Sequence, residues 1–204
     1  NSEVILIYFI RHGESIGNIQ GIIQGSLDLE LTSKGKTQAK LLADKFKKKK
    51  IDYLYSSPLK RALQTTNILN SSMQLDGQID DAVQEYNYGI AEGQPWQVAT
   101  NKYGIQLGAW GFGDIKNEEG PKKFCERIDK FIDNLSINFL DKEIICITHG
   151  AVISRIACNL LGMDINSRPR IRISNTSVME VDNSSKNFLK KFVIASINDC
   201  GHLI

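Results

Sequence analysis

Leu6-Ile7-Tyr8-Phe9-Ile10-Arg11-His12-Gly13 and Ile144-Ile145-Cys146-Ile147-Thr148-His149-Gly150 decide the fold. Each is a continuous apolar run that ends in His-Gly. An unbroken run of large apolar residues is what a parallel strand covered on both faces needs. In open α/β sheets, ligands bind beyond the carboxyl ends of the strands. Two such strands in one sheet would therefore deliver His12 and His149 to a common rim. Each following glycine permits a tight turn and a close approach of substrate to the backbone. One histidine after a strand is ordinarily structural, but two of the chain's three histidines stand in this same context and predict a shared site. The third, His202, near the end of the chain, reads as a surface group.

Outward from these runs, strand-like and helix-like segments alternate. Thr32 reads as a helix N-cap, and Ala39, Leu42, Ala43 and Phe46 follow at helical spacing on one face. The helix closes in Lys47-Lys48-Lys49-Lys50, which suits the negative end of the helix dipole and reads as a solvated end rather than an anion patch. Residues 51–55 predict a short strand. Ser57-Pro58 reads as N-cap and first residue of a helix that turns Leu59, Ala62, Leu63, Thr66 and Leu69 inward. Residues 76–120 are rich in Gly, Asp and Gln, with weak periodicity and many turn signals. A helix over 122–135 buries Phe124, Ile128, Phe131, Ile132 and Leu135. A strand over 143–148, a helix over 151–161 and strands around 170–174 and 189–197 complete the pattern. The alternation predicts an α/β fold: a single three-layer domain over residues 1–204, a mostly parallel sheet with helices on both faces.

Composition narrows the function. With 204 residues, 42% hydrophobic and 24% charged, the chain is an ordinary globular protein. A chain of this length buries about 70% of its unfolded surface and needs no metal or disulfide to hold it. Twenty-five basic against 23 acidic residues leave a net charge of +2, too balanced for a nucleic-acid binder. The four cysteines form no CxxC pair and sit at no zinc-ligand spacing, which fits a reducing compartment. The apolar run over 4–10 is too short to span a bilayer and has no basic flank or cleavage site. No membrane association and a cytoplasmic location are therefore expected.

Arginine supplies the second clue to the chemistry. Arg11 adjoins His12, and Arg61 falls in the first turn of the helix after Ser57-Pro58. A helix N-terminus offers free N–H groups and a positive dipole end, and a guanidinium there adds bidentate recognition of phosphate or carboxylate. Two arginines converging with two histidines make a phosphate site, which needs donors for three oxygens and a nucleophile in line. Two histidines with a carboxylate such as Glu85 or Glu14 could instead ligate a metal. The arginines count against that, because they would repel a cation, so no metal is expected.

These residues resemble a known family. Arg11-His12-Gly13-Glu14-Ser15 is similar to the RHGE signature of the histidine phosphatase superfamily, whose founding members include cofactor-dependent phosphoglycerate mutase. The resemblance continues through Asn18, Gln24-Gly25, Asp28 and Leu31-Thr32-x-x-Gly35-x-x-Gln38-Ala39. It resumes at Ser56-Ser57-Pro58-Leu59-x-Arg61-Ala62-x-Gln64-Thr65, Glu85-x-x-x-Gly89-x-x-Glu92-Gly93, Thr148-His149-Gly150 and Asn175-Thr176-Ser177. The blocks stand in family order over nearly the whole chain. The resemblance implies a phosphoglycerate mutase-like fold and chemistry without metal. It implies His12 as the nucleophile that becomes phosphohistidine, and Arg11, Arg61 and His149 as the clamp on the phosphoryl oxygens. Asn18, Gln24 and Gly25 become further phosphate or substrate contacts, Glu85 the general acid and then base, and Glu14 a partner supporting the arginines.

The resemblance leaves a phosphatase and a mutase that uses 2,3-bisphosphoglycerate as alternatives, and, behind both, a phosphate-binding module without turnover. Mutases of the family carry an arginine pair in the segment after the acid glutamate. Here residues 86–117 hold only Lys102 and Lys116 as basic residues, so a second phosphate lacks its grip and we favour a phosphatase that needs no cofactor. Leu107-Gly108-Ala109-Trp110-Gly111-Phe112-Gly113 reads as a mobile, partly apolar lid in the 94–120 loop. Phosphatase relatives often carry Gly-Glu-Ser before a helix ending in an arginine such as Arg127, whereas this chain has Glu118-Glu119-Gly120-Pro121. Arg168, Arg170 and Arg172 alternate as on one face of a solvent-facing edge strand. The expected partner is a small phosphorylated substrate or a phosphoprotein. The apolar stretch 192–197 could pair across a homodimer or lie within the sheet.

Overall fold

The computed structural model describes residues 4–105, 110–111, 113–164, 171–183 and 192–204. Both His-Gly runs are strands. β1 (Leu6–Arg11) is followed by the short α1 (Ile16–Ile19), α2 (Ser33–Phe46), β2 (Tyr53–Ser56), α3 (Lys60–Asn70) and β3 (Gly77–Ile79). Then come α4 (Trp96–Tyr103), α5 (Pro121–Asn138), β4 (Glu143–Thr148), α6 (Gly150–Leu160), β5 (Val178–Asp182) and β6 (Val193–Asp199). The strands order as β3-β2-β4-β1-β5-β6 in one sheet. β3, β2, β4 and β1 run parallel, and β5 is antiparallel to β1 and to β6.

Period-2 alternation along buried strands sorts the core into two layers. Ile7, Phe9, Ile144 and Cys146 face a cluster with Phe124, Ile128, Phe131 and Ile156 of α5 and α6. Tyr8, Ile10, Ile145 and Ile147 face a second cluster with Leu42, Phe46, Ala62 and Leu69 of α2 and α3. Two helical layers therefore sandwich the sheet, as expected. Thr32 caps α2 as read, its hydroxyl accepting from Gly35 N at 3.0 Å.

Several sequence readings change. No strand runs over the described part of 170–174. Residues 171–174 are irregular and Arg172 is exposed, while Arg168 and Arg170 lie outside the described residues, so the arginine-lined edge strand is not found. The strand is β5 instead, held between β1 and β6 and entered through a turn at Thr176, whose φ is +55°. The last strand begins at Val193, and its inner neighbour is β5 within the same chain. α3 starts at Lys60 with Leu59 as its cap residue, while the Ser57 hydroxyl accepts from Leu59 N at 3.3 Å and also faces His149. In the four-lysine run, Lys49 reaches back to donate to the Tyr8 hydroxyl at 2.7 Å.

The segment 76–120 is more ordered than its periodicity suggests. Val83, Tyr86, Tyr88, Ala91, Ala99 and Trp110 are all buried. Tyr86 packs edge-on against Tyr88 and Phe124, and Trp110 lies 5.8 Å from the Phe124 ring. Trp110 is thus part of the core rather than of a lid; residues 107–109 and Phe112 lie outside the described residues. Among the described residues, no helix is long and apolar enough to cross a membrane.

Candidate active site

Strand register brings the two histidines together. Arg11 of β1 pairs with Thr148 of β4, and His12 N donates to Thr148 O at 3.0 Å. The next side chains, His12 and His149, leave the sheet side by side with ring centroids 5.2 Å apart. A Cβ on Gly13 would come within 2.6 Å of Gly35 O, so this position needs glycine because the first turn of α2 crosses it.

The His12 ring is fixed at both nitrogens. Nδ1 lies 2.7 Å from Gly13 O, an acceptor, and so carries the proton. Nε2 faces Arg61 Nε at 3.3 Å. A guanidinium only donates, so Nε2 presents its lone pair. Burial, then the charges of Arg61 and Arg11, hold the imidazole well below the usual histidine range and keep it neutral.

Arg61 is almost completely buried on the first turn of α3. It donates through Nη1 to Leu27 O at 2.7 Å and through Nη2 to Gly25 O at 2.8 Å. Burial lowers its pKa to about 10, which still leaves it charged near neutrality. Gly25 has φ +46°, and a Cβ there would collide with the Glu92 carboxylate. Glu92 in turn accepts from Ser26 N at 2.9 Å and Tyr88 N at 3.0 Å, tying the Gly25 loop to the segment after Glu85. Arg11 donates to Ile173 O at 2.6 Å, while its buried Nε has no protein partner.

His149 is fully buried, with Nε2 2.7 Å from Ser57 Oγ. Its Nδ1 is buried with no protein partner. Burial, followed by the charges of Arg61, His12 and Arg11, keeps this imidazole neutral too. Two orphaned donor or acceptor atoms beside a lone-pair nucleophile are what an anion-binding centre leaves unpaired.

Glu85 sits across the same rim. Its carboxylate accepts from Tyr86 N at 3.0 Å and from Ala151 N, at the start of α6, at 3.4 Å. Burial raises its pKa above the ordinary glutamate value, against the pull of those two N–H groups and of Arg61 and Arg11. Asn18 Oδ1 accepts from Ser15 N at 3.0 Å and from Asn175 Nδ2 at 3.1 Å, and Asn175 also donates to His12 O at 3.0 Å. Gln24 Oε1 accepts from Ser15 Oγ at 2.7 Å.

His12, His149, Arg11, Arg61 and Glu85 therefore converge, with Asn18, Gln24 and Gly25 bonded into their surroundings. Glu14 does not support the arginines. It turns outward to Lys34 at 2.9 Å and Thr32 at 2.9 Å, because its backbone heads away toward the α2 cap. His202 is no bland surface group either. It is half-buried, with Nε2 3.1 Å from Thr176 Oγ1, and Thr176 N donates to Arg11 O. Among the described residues, no group of three or more His, Cys, Asp or Glu could hold a metal ion.

Two features escaped the sequence. Ser57 read as a cap, yet it is the His149 partner. Arg127 of α5 donates to Ala82 O at 2.7 Å and Glu85 O at 3.2 Å, and grips Glu119 with two bonds at 2.8 and 3.0 Å. Glu119 also accepts from Asn87 N at 3.0 Å. Together they brace the backbone on both sides of Glu85. The sequence singled out Arg127 and Glu118-Glu119-Gly120-Pro121 only through the family pattern, and nothing in it joined them to the Glu85 segment.

The model of the histidine phosphatase superfamily, branch 1, matches residues 7–195. A Hydrogenobacter thermophilus protein, named by inference phosphoserine phosphatase 2, is 30% identical over 86% of this chain and 88% of its own. A Yersinia enterocolitica protein, named by inference phosphoglycerate mutase GpmB, is 28% identical over 98% of this chain and 95% of its own. The crystal structure of phosphoserine phosphatase from Entamoeba histolytica in complex with 3-phosphoglyceric acid superposes with a TM-score of 0.82 at 26% identity. It covers 98% of this chain and 100% of that one.

Proposed function

The chain belongs to the histidine phosphatase superfamily, branch 1, and from that membership we propose that it is a phosphatase that hydrolyses small phosphomonoesters through a phosphohistidine on His12. The observation that carries the proposal is the His12 ring, locked by Gly13 O with its Nε2 lone pair turned to the Arg61 Nε–H.

In the first step His12 Nε2 attacks phosphorus, and the bond from phosphorus to the ester oxygen breaks. An alkoxide leaves poorly, so the protonated Glu85 carboxyl gives its proton to that oxygen. Arg11 and Arg61 offset charge on the three phosphoryl oxygens and the neutral His149 donates a hydrogen bond to them, as fixed donors in a buried site do best. In the second step the Glu85 carboxylate takes a proton from water, the water oxygen attacks phosphorus, and the N–P bond breaks. Inorganic phosphate leaves, and His12 and Glu85 regain their starting states. Dividing one hard displacement into two easier ones is the gain from the covalent intermediate. No step calls for a metal ion.

A mutase would run through the same intermediate but must hold a second phosphate while excluding water. A relative named as a mutase favours that reading; the want of an arginine between residues 86 and 117 opposes it. A parallel assay in chelator separates the two. Phosphate release from p-nitrophenyl phosphate, phosphoserine and 3-phosphoglycerate is followed beside isomerisation of 3-phosphoglycerate with and without the bisphosphate. Release that survives chelation and outruns isomerisation is expected; isomerisation outrunning release would overturn the phosphatase reading.

A further inference from the structure

The contact between Ser57 and His149 favours one proton arrangement over the other. Both residues are fully buried, and Oγ and Nε2 are 2.7 Å apart. One proton lies between them. The Ser57 oxygen already accepts from Leu59 N at 3.3 Å, and its own O–H has His149 Nε2 as its acceptor. If Nε2 donated instead, the hydroxyl proton would be buried without an acceptor, an arrangement native proteins avoid. Ser57 is also held in place, because its N donates to Ile147 O at 3.0 Å and extends the ladder between β2 and β4 by one step.

We propose that Ser57 is a positioning residue that locks His149 as the tautomer with its proton on Nδ1, turning this imidazole into an N–H donor for a phosphoryl oxygen. The inference rests on the phosphohistidine reading of the site. It accounts for the orphaned Nδ1, which is buried and lacks a protein partner. It also gives the neighbouring rings opposite duties through opposite nitrogens. Gly13 O keeps the His12 proton on Nδ1 and frees Nε2 to attack. Ser57 fills Nε2 of His149 and leaves Nδ1–H to donate. A backbone carbonyl accepts and a serine hydroxyl donates, so the two rings receive complementary roles from two different partners. Both rings are held neutral in the free protein, which is the condition under which a tautomer is defined.

The test is two-bond proton–nitrogen correlation spectroscopy of the full chain labelled in histidine. Three histidines make assignment straightforward with a His149→Gln spectrum for subtraction. In the wild type near neutral pH, His149 should show a protonated Nδ1 and a bare Nε2. Ser57→Ala should lose that preference and lower kcat/KM by about 10–100-fold, the scale seen when the partner orienting a metal-ligating histidine is removed. The loss should be equal for aryl and alkyl phosphates, because the donor serves the phosphoryl oxygens and not the leaving group. A wild-type His149 protonated on Nε2 would overturn the proposal, and that spectrum needs no variant to fold. So would a Ser57→Ala protein with unchanged tautomer and kcat/KM, or a loss confined to alkyl substrates. The two failures are distinguishable: full turnover in His12→Ala removes the phosphohistidine reading, whereas the wild-type spectrum judges Ser57 alone.

Discussion

Arg61 Nε stands 3.3 Å from His12 Nε2, a permanent donor set against the one lone pair of a buried imidazole. The arginine cannot retreat, since its other two nitrogens are bonded to Leu27 O and Gly25 O. The contact keeps His12 unprotonated and marks where an oxygen of the phosphoryl group would replace nitrogen as the partner of Nε–H.

His12→Ala is expected to lower turnover by at least about 10³-fold, as loss of a covalent nucleophile does. Wild type mixed with labelled substrate and quenched in alkaline detergent should carry protein-bound phosphate that is stable to alkali and labile to acid, and the variant should carry none. Label retained in His12→Ala would place the nucleophile elsewhere.

Glu85→Gln removes the proton but keeps the shape. General acid–base catalysis contributes about 10²–10⁴-fold, and that loss should appear in full on alkyl phosphates. An aryl oxide needs little protonation, so formation of the phosphoenzyme from p-nitrophenyl phosphate should fall far less. Equal losses in the burst rates of the two substrates would rule Glu85 out as the acid.

The pH profile follows from the same two groups. His12 is active when neutral, and its pKa is depressed by burial, Arg61 and Arg11, so activity is lost only well below the ordinary histidine pKa of about 6.5. Glu85 is active when protonated, and burial raises its pKa, so activity on alkyl phosphates falls as pH rises through that elevated value. The kcat/KM profile, corrected for the second ionisation of the substrate, should therefore be a bell. Glu85→Gln should lose its alkaline limb and keep its acid limb. An alkaline limb that survives the substitution would belong to some other group.

Arg127 acts on the reaction through the backbone that carries Glu85. Arg127→Lys keeps the charge but cannot reproduce the fork on Glu119. We expect kcat for alkyl phosphates to fall by about 10–100-fold, with a smaller change for aryl phosphates and little change in KM. A uniform loss on both substrates would mean that the brace only stabilises the fold.

Gly13→Ala places a methyl 2.6 Å from Gly35 O, a backbone atom that cannot swing aside. Overpacking of this kind costs about 1–3 kcal/mol. Urea unfolding should show a lower midpoint with an unchanged slope; an unchanged midpoint would show that the crossing backbone yields.

The readable parts of this chain were those written in local patterns. The apolar runs before His12 and His149, the Thr32 cap and the inward faces of α2 and α5 each sit within a few residues of their own signal. Both histidines, both arginines and Glu85 were legible from strand ends, a helix start and the family blocks. What the sequence hid depends on partners distant along the chain. Ser57 looks like a helix cap until β2 is laid beside β4 and its hydroxyl meets His149. Glu14 looked central by adjacency, but the turn after Gly13 sends it to Lys34. β5 was missed because its short Val178–Asp182 run is flanked by turn residues, and it is strand-like through pairing with β1 and β6 rather than through length. His202 gains its contact only because the chain's end folds back onto the Thr176 turn.

The strand order also sets when the protein becomes an enzyme during its own synthesis. β1 supplies His12 and β2 leads to Arg61, but the two strands are not neighbours; β4 lies between them. A growing chain that stops short of β4 thus owns nucleophile and clamp, linked by contacts such as Gly13 N to Thr65 Oγ1, but without the strand that lies between β1 and β2 and without the second imidazole. Long-range parallel pairing is slow and comes after local helices. Insertion of β4 joins β1 to β2 and delivers His149, and the later β5 and β6 complete the sheet, so a ribosome-bound fragment ending before residue 143 should be chemically silent however much helix it has formed.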